Sequence, residues 1–375
     1  MRNLLLLVAG LAARFGAALL TDDDLAELAA CVVREHRGIG YEDLELLPLL
    51  LHTATLRGST SFVELGGLDG TTGSQSLMLE LCFRWSGLLI EANPKNYEVM
   101  QACGRKKASY AFSAVCDESV GSVQVTVGGE GVSGVVGAMA ARFAARWHKL
   151  HTSATVSVPC APLPTLMRRA GVPTQTTYMS LDVEGSELTV LNTLNASAVF
   201  PFSVVLVEND GNQKAKDASV RALLQRAGLR QLRFPKPDGA WPRTTVGAHN
   251  DLFVSPDVLD VRVNGSEMKA FQRANDPLLR AAERRLSRAE SSLMQTPPKP
   301  SRETSCALGP RQQSCWYMKG HSAMEHDQLA TVMAGLRKVV QMHGAATPLP
   351  WHALSLARKR KHDAMNDATR SSQLP

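Results

Sequence analysis

From residue 60 to residue 254 one pattern repeats: a short apolar run rich in Val, Leu and Ile, a turn, then a segment of helical spacing. The runs Ser61–Leu65, Gly87–Glu91, Ala108–Cys116, Val123–Val127, Thr155–Val158, Tyr178–Asp182, Val204–Glu208 and Asp251–Val254 read as strands. Gln75–Arg84, Leu163–Ala170, Glu187–Leu194 and Ala218–Ala227 read as helices. Strands this apolar must be covered on both sides, so the alternation predicts an α/β fold with a largely parallel sheet and helices on both faces. Such folds bind ligands in the crevice outside the carboxyl ends of their strands. Val123–Val127 followed by Gly128-Gly129 predicts a hairpin insertion, and Gly137–His151, with Arg142, Arg146, Trp147 and Lys149, a helix over or beside the crevice.

Outside that block the pattern changes. Thr21–Arg34 reads as a helix that Thr21 caps, and Glu35–Asp43 ends it. Arg2 followed by the apolar run Leu4–Ala13 fits a signal peptide or a membrane anchor, with a buried first helix as the alternative. Beyond Pro256 only Pro277–Glu290 and Asp327–Met342 have helical stripes, and a Pro-rich linker separates them. The expected organisation is therefore residues 1–20 signal or anchor, 21–57 N-terminal helical segment, 58–258 catalytic domain, and 259–375 a basic, partly helical, largely disordered tail. Charge follows the same division: residues 271–375 carry 16 Lys/Arg against 8 Asp/Glu, although the whole chain is only +6. The basic character thus belongs to the tail and what it touches, not to the site. Arg358–Lys361 reads as a solvated run or an import signal. The N-terminus points to the secretory pathway, with the cytoplasm as the alternative. The seven cysteines contain no C-x-x-C pair and no zinc spacing. Those in predicted strands and helices are expected as buried thiols. Only Cys306 and Cys315 lie in a loop-like stretch that leaves room for a local bridge.

Three segments carry chemistry. In Phe62–Gly73 a strand ends in Glu64, and a glycine turn with Gly66, Gly70 and Asp69 leads into a helix. Glycines let backbone approach a ligand closely, and the helix N-terminus suits a carboxylate. The acids suit an ammonium, so the mixture fits a cationic amino acid derivative better than a pyrophosphate. Neither G-x-G-x-x-G nor a Walker lysine is present. Gly87–Pro94 ends a buried strand in Glu91, 25 residues after Gly66, close to the spacing at which an acid grips ribose hydroxyls. In Tyr178–Glu187 a strand ends at Asp182, with Glu184-Gly185 turning into a helix that Glu187 can cap. Clustered carboxylates raise at least one pKa, which suits proton transfer.

Phe62–Gly70, Trp85–Pro94 with the following Tyr97, Pro162–Gly185, and Val204–Glu208 followed by Asp251-Leu-Phe-Val254, resemble in that order the FkbM-type S-adenosylmethionine-dependent methyltransferases over about 200 residues. The specific pieces are Glu64-x-Gly-x-x-Asp-Gly70 and Asp182-Val-Glu-Gly185. Gly66-Gly-Leu68 departs from the family, which often carries Ala and a polar residue there. The resemblance implies a seven-stranded Rossmann-like methyltransferase sheet. It implies that Glu64, Gly66, Asp69 and Gly70 border the methionine of S-adenosylmethionine, and that Glu91 holds the ribose. Ser113, Ala114 and Val115, with Asp117, would border the adenine, and Asp182 would lie near the transferred methyl.

A hydroxyl acceptor needs a base, for which Glu184, Glu208, Asp210 and His249 are candidates. Nothing in the spacing demands a metal. The expected activity is O-methylation of a sugar, glycan or small metabolite. A binding module that keeps the fold is the alternative, and a nucleic-acid substrate ranks last because aromatics for base stacking are few.

Overall fold

The computed structural model describes residues 31–32, 34–38, 42–127, 132–141, 144–145, 154–194, 200–209, 211–232 and 249–259. The expected leader, both tail helices, the Cys306–Cys315 bridge and Asp210 lie outside these residues.

Among the described residues the strands form two sheets. The larger contains β1 (Ser61–Leu65), β2 (Ser86–Glu91), β3 (Ala108–Phe112), β8 (Thr176–Leu181), β9 (Phe202–Glu208), β10 (Arg230–Leu232) and β11 (Asn250–Val254), in the order β10-β11-β9-β8-β1-β2-β3. All neighbours are parallel except at β11, which runs antiparallel to β9 and β10. This is the seven-stranded sheet expected. The strand order reverses between β1 and β8: the chain builds outward through β2 and β3, then returns to the other side of β1. Connections on the two flanks then diverge, so the carboxyl ends of β1 and β8 open a crevice between them.

Period-two alternation divides the strand residues between two layers. Val63, Leu65, Leu88, Ile90, Met179, Leu181, Val205, Val207 and Phe253 pack with α4 (Leu163–Arg169), α5 (Glu187–Asn192) and α6 (Lys214–Arg226) through Leu163, Leu166, Val190, Leu191, Val220 and Leu224. On the other face α1 (Glu42–Arg57) lies on β8 and β9, and α3 (Pro94–Ala102) on β2 and β3. Acids in the first turn of α1 and Arg57 in its last complement the helix dipole. Asn93 accepts from the Lys95 amide and Pro94 follows at the first helical position, so α3 has a cap that composition alone hides. The helix α2 (Leu77–Phe83) follows the glycine turn and buries Leu77, Met78, Leu79, Cys82 and Phe83. The short α7 (Pro256–Leu259) is tied to α1 by Arg57 and Asp257.

The run expected as one strand from 108 to 116 divides at Ser113. β3 ends at Phe112, and β4 (Ala114–Val115) joins a second sheet of order β4-β7-β5-β6. The expected hairpin is present as β5 (Ser122–Val127) paired antiparallel with β6 (Ser133–Val135), and β7 (Ala154–Ala161) lies on the other side of β5.

The expectation of buried thiols is corrected. Cys31 is bonded to Cys82 and Cys116 to Cys160, while Cys103 is a buried thiol. Cys116 and Cys160 lie 44 residues apart and meet only because β4 runs beside β7; Cys31 and Cys82, 51 apart, meet only when the N-terminal segment lies on α2. Neither pairing has a local spacing signal. Loops of this length constrain the unfolded chain by about 4 kcal/mol each in the chain-entropy model.

Candidate active site

A cavity of about 190 Å³ opens at the β1/β8 crevice. Its floor is Leu65, Gly66 and Leu68, with Ile90 and Glu91 beside them; Ala114 and Val115 form one wall, Ser133–Val135 another, and Asp182–Glu184 close it.

Gly66 is held at the point of closest approach. Its amide, like that of Gly67, donates to the Ile90 carbonyl at 3.0 Å. Its φ is +82°, and a Cβ there would stand 1.9 Å from the Asp182 carbonyl oxygen. No side chain fits, because β1 and β8 converge here. A left-handed Leu68 (φ +49°) then turns its amide onto Glu91 Oε2 at 2.8 Å. Glu91 Oε1 accepts from the Asn93 amide at 2.6 Å. Burial pushes the Glu91 carboxyl up to about 7, against the pull of those amides. Glu91 therefore enters the cavity with both oxygens oriented by backbone amides, with the Asn96 side chain also bonded to it.

The turn after β8 is strained on the cavity side. Glu184 has φ +55°, a region costly to a residue with a side chain, and Gly185 has φ +108°. Glu187 accepts from the Gly185 amide at 2.9 Å and the Val183 amide at 3.3 Å, and pairs with Lys216. It thus caps the turn that presents Glu184, as the capping alternative expected. Burial alone would lower the Lys216 ammonium, but Glu187 and Asp217 hold it above its ordinary value. Over this turn lies the segment after β6: a Cβ on Gly134 would meet the Glu184 carbonyl at 3.1 Å, and one on Gly185 the Ala138 carbonyl at 2.4 Å.

Burial, with the negative charges of Asp182 and Glu184, pushes the Glu208 carboxyl up to about 11, and it hydrogen-bonds Asp182. Two carboxyl groups so placed share a proton instead of both ionising. Among the described residues no group of three or more His, Cys, Asp or Glu side chains is placed to hold a metal ion.

The expected site residues thus fall into four sets. Gly66, Glu91, Ala114, Asp182 and Glu184 line one cavity together with Ser113 and Val115. Glu208 touches it through Asp182. Glu64, Asp69 and Gly70 stand behind it. Glu64 accepts from Ser74, Ser76 and the Gln75 amide, and Asp69 from the Thr71 and Thr72 amides at 2.8 and 2.6 Å. Gly70 packs against Met100 and Cys103. Two expected residues face elsewhere. His249 is exposed at the start of β11, its carbonyl accepting from the Asn209 amide. Asp117 is exposed and held by Ser119. Sequence reasoning missed Ser133–Val135, which line the cavity from a different sheet, and Arg105, which is buried behind the glycine turn.

Residues 72–230 match the family model described as the methyltransferase FkbM domain. A comparison with curated proteins finds no match. Among solved structures, the chain is similar to the methyltransferase FkbM from Methylobacillus flagellatus KT at 14% identity, with a TM-score of 0.31; the match covers 52% of this chain and 43% of that one.

Proposed function

We propose that this chain, whose residues 72–230 match the methyltransferase FkbM domain, transfers the methyl of S-adenosylmethionine to a hydroxyl on a sugar, glycan or small metabolite. The observation that carries the proposal is the cavity itself: Gly66, Glu91 and Asp182, at the ends of three neighbouring parallel strands, meet in one space. The residues suit the cofactor. Glu91 offers a buried carboxylate to ribose hydroxyls, Ala114 and Val115 an apolar wall to adenine, and Asp182 and Glu184 negative charge to a sulfonium. When bound, the cofactor supplies an electrophilic methyl carbon.

The residues of the chain do the rest. Holding the acceptor in line contributes by orientation. Glu184 lines the cavity and is held by a strained turn, so it is our choice for the base that takes the hydroxyl proton. Glu208 shares a proton with Asp182, which places it in support of that carboxylate. His249 and Asp117 lie outside the cavity and have no part in this reading.

The two disulfides support a protein that matures in an oxidising compartment, which accords with the secretory N-terminus expected from the sequence. Among the described residues no helix is long and apolar enough to cross a membrane. Calorimetry tests the cofactor: binding of S-adenosylmethionine at micromolar strength is expected, and no heat at millimolar cofactor overturns the reading. Transfer of labelled methyl to neutral sugars, and not to amines or nucleic acid, tests the acceptor class.

A further inference from the structure

The glycine turn that faces the cavity has a second side, and Arg105 occupies it. This residue, between α3 and β3, is 5% exposed. Its Nη1 donates to the Gly70 carbonyl and to Ser74 Oγ, both at 3.1 Å, and its Nη2 to Ser76 Oγ at 2.9 Å. Its Nε donates to Glu80 Oε2 at 2.7 Å, and the guanidinium lies 5.4 Å from the Phe62 ring centroid. Ser74 and Ser76 in turn donate hydrogen bonds from their hydroxyls to Glu64 at the end of β1, which stands 3.8 Å from Arg105. The other Glu80 oxygen accepts from the Lys106 and Lys107 amides at 2.8 Å, where β3 begins.

A guanidinium is a rigid planar fork with five donors, so a single one can fix a carbonyl, two hydroxyls and a carboxylate at set angles; an ammonium cannot. Here the fork closes residues 70–76 into one shape. The same stretch contributes Thr72 and Gly73 to the cavity, and Leu68, just ahead of it, reaches Glu91. We infer that Arg105 is a positioning residue for the amino-acid end of the cofactor: it acts through Gly70, Ser74 and Ser76, without touching the ligand, and Glu64 belongs to the same network. The inference rests on the cofactor reading above.

The consequence is selective. The amino-acid end depends on the 66–73 turn, whereas the nucleoside end depends on Glu91 and the Ser113–Val115 wall, which Arg105 does not contact. The experiment is calorimetry on the full chain with two ligands, S-adenosylhomocysteine and 5′-methylthioadenosine, the second lacking the amino-acid group. Arg105→Lys should weaken S-adenosylhomocysteine at least tenfold and 5′-methylthioadenosine less than twofold. Ser76→Ala, which keeps the buried charges paired, should show the same selectivity in smaller degree and serves where Arg105→Lys does not fold. Leu224→Ala, in α6 away from the turn, controls for lost stability and should leave the ratio of the two affinities unchanged. Equal loss for both ligands, or no loss in a folded variant, overturns the positioning role alone. A wild-type chain that binds neither ligand overturns the cofactor reading and the inference with it.

Discussion

The two sheets build opposite walls of one cavity by different means. The seven-stranded sheet is buried on both faces, its strands pair over three to five residues, and its core holds Phe202 and Phe253 among branched aliphatics. The smaller sheet buries Ala114, Cys116, Val125, Val158 and Cys160, and β4 joins β7 through two residue pairs. What packing does for Gly66 and Asp182, a covalent bond does for Ala114 and Val115: Cys116 directly follows that wall and is fixed to β7. A wall of small residues leaves room for a ligand, but it forgoes the apolar burial that would hold it in place, roughly 25 cal/mol per Å².

That contrast is broken most forcefully from the large sheet. Phe253→Ala removes a fully buried ring from the layer under α6, and a loss of about 3–5 kcal/mol is expected in urea unfolding. All probes should report the loss together, because β1, β2, β8, β9 and β11 share that core. Next in size is the double substitution Cys116→Ala with Cys160→Ala. If the smaller sheet were one cooperative unit with the larger, global stability would drop by the chain-entropy value of about 4 kcal/mol. We expect less, with amide exchange rising in β4, β6 and β7 while β1, β8 and β9 stay protected, and cofactor affinity falling about tenfold. Uniform loss of protection across both sheets would show that the walls are not separable.

The large sheet was the legible part of the sequence. Six of its strands announce themselves as apolar runs, whereas Arg230-Gln-Leu232 gives no such signal, and the acids Glu64, Glu91 and Asp182 fall where the crevice must be. Legibility stopped where position depended on partners. Glu64 and Glu91 end adjacent strands and read alike, yet one turns to Ser74, Ser76 and Arg105 while the other enters the cavity. Register places both on the same face, Glu64 beside Leu89 and Glu91 two residues further along, level with Gly66; the difference lies in that step and in a guanidinium 41 residues downstream of Glu64. The helix α1 carries Pro48 and polar residues in its last turns, so its stripe is weak; contact with β8 and β9 holds it. The division of the 108–116 run at Ser113 has no sequence mark, because both halves are β-forming and only the second finds β7.

Glu91 sharpens the comparison by titration. It belongs to the large sheet and lies beside Ala92 and Ser113, at the boundary with the smaller one. Its carboxyl is raised to about 7 by burial, so below that pH it holds a proton in the free protein and one oxygen ceases to accept. Cofactor affinity should therefore fall as pH drops below about 7, approaching tenfold per unit. The linkage to folding has the opposite sense: an acid raised in the native state favours folding at low pH, and this contribution is lost as pH rises from its ordinary value toward 7. Glu91→Gln should flatten both dependences. A wild-type affinity constant from pH 5.5 to 8 would remove Glu91 from the ribose.

The smallest effect is expected at a strongly shifted group. Glu208, at the end of β9, is raised to about 11 by burial and by Asp182 and Glu184, so at neutral pH the pair it forms with Asp182 keeps one proton. Gln has the same shape and still donates. Glu208→Gln should leave methyl transfer at pH 7 within about twofold of the wild type, whereas Glu184→Gln, which removes the proposed base, should cost about 10²–10⁴-fold. The sign of the stability change follows from the raised value: ionising Glu208 opposes folding, so the wild type loses stability as pH climbs from the ordinary carboxyl range toward 11, and the variant does not. Thermal unfolding at pH 7 and pH 9.5 reads this directly. If Glu208→Gln instead abolished transfer while remaining as stable as the wild type at both values, Glu208 would be the charged base, and the division of labour between the ends of β8 and β9 would be reversed.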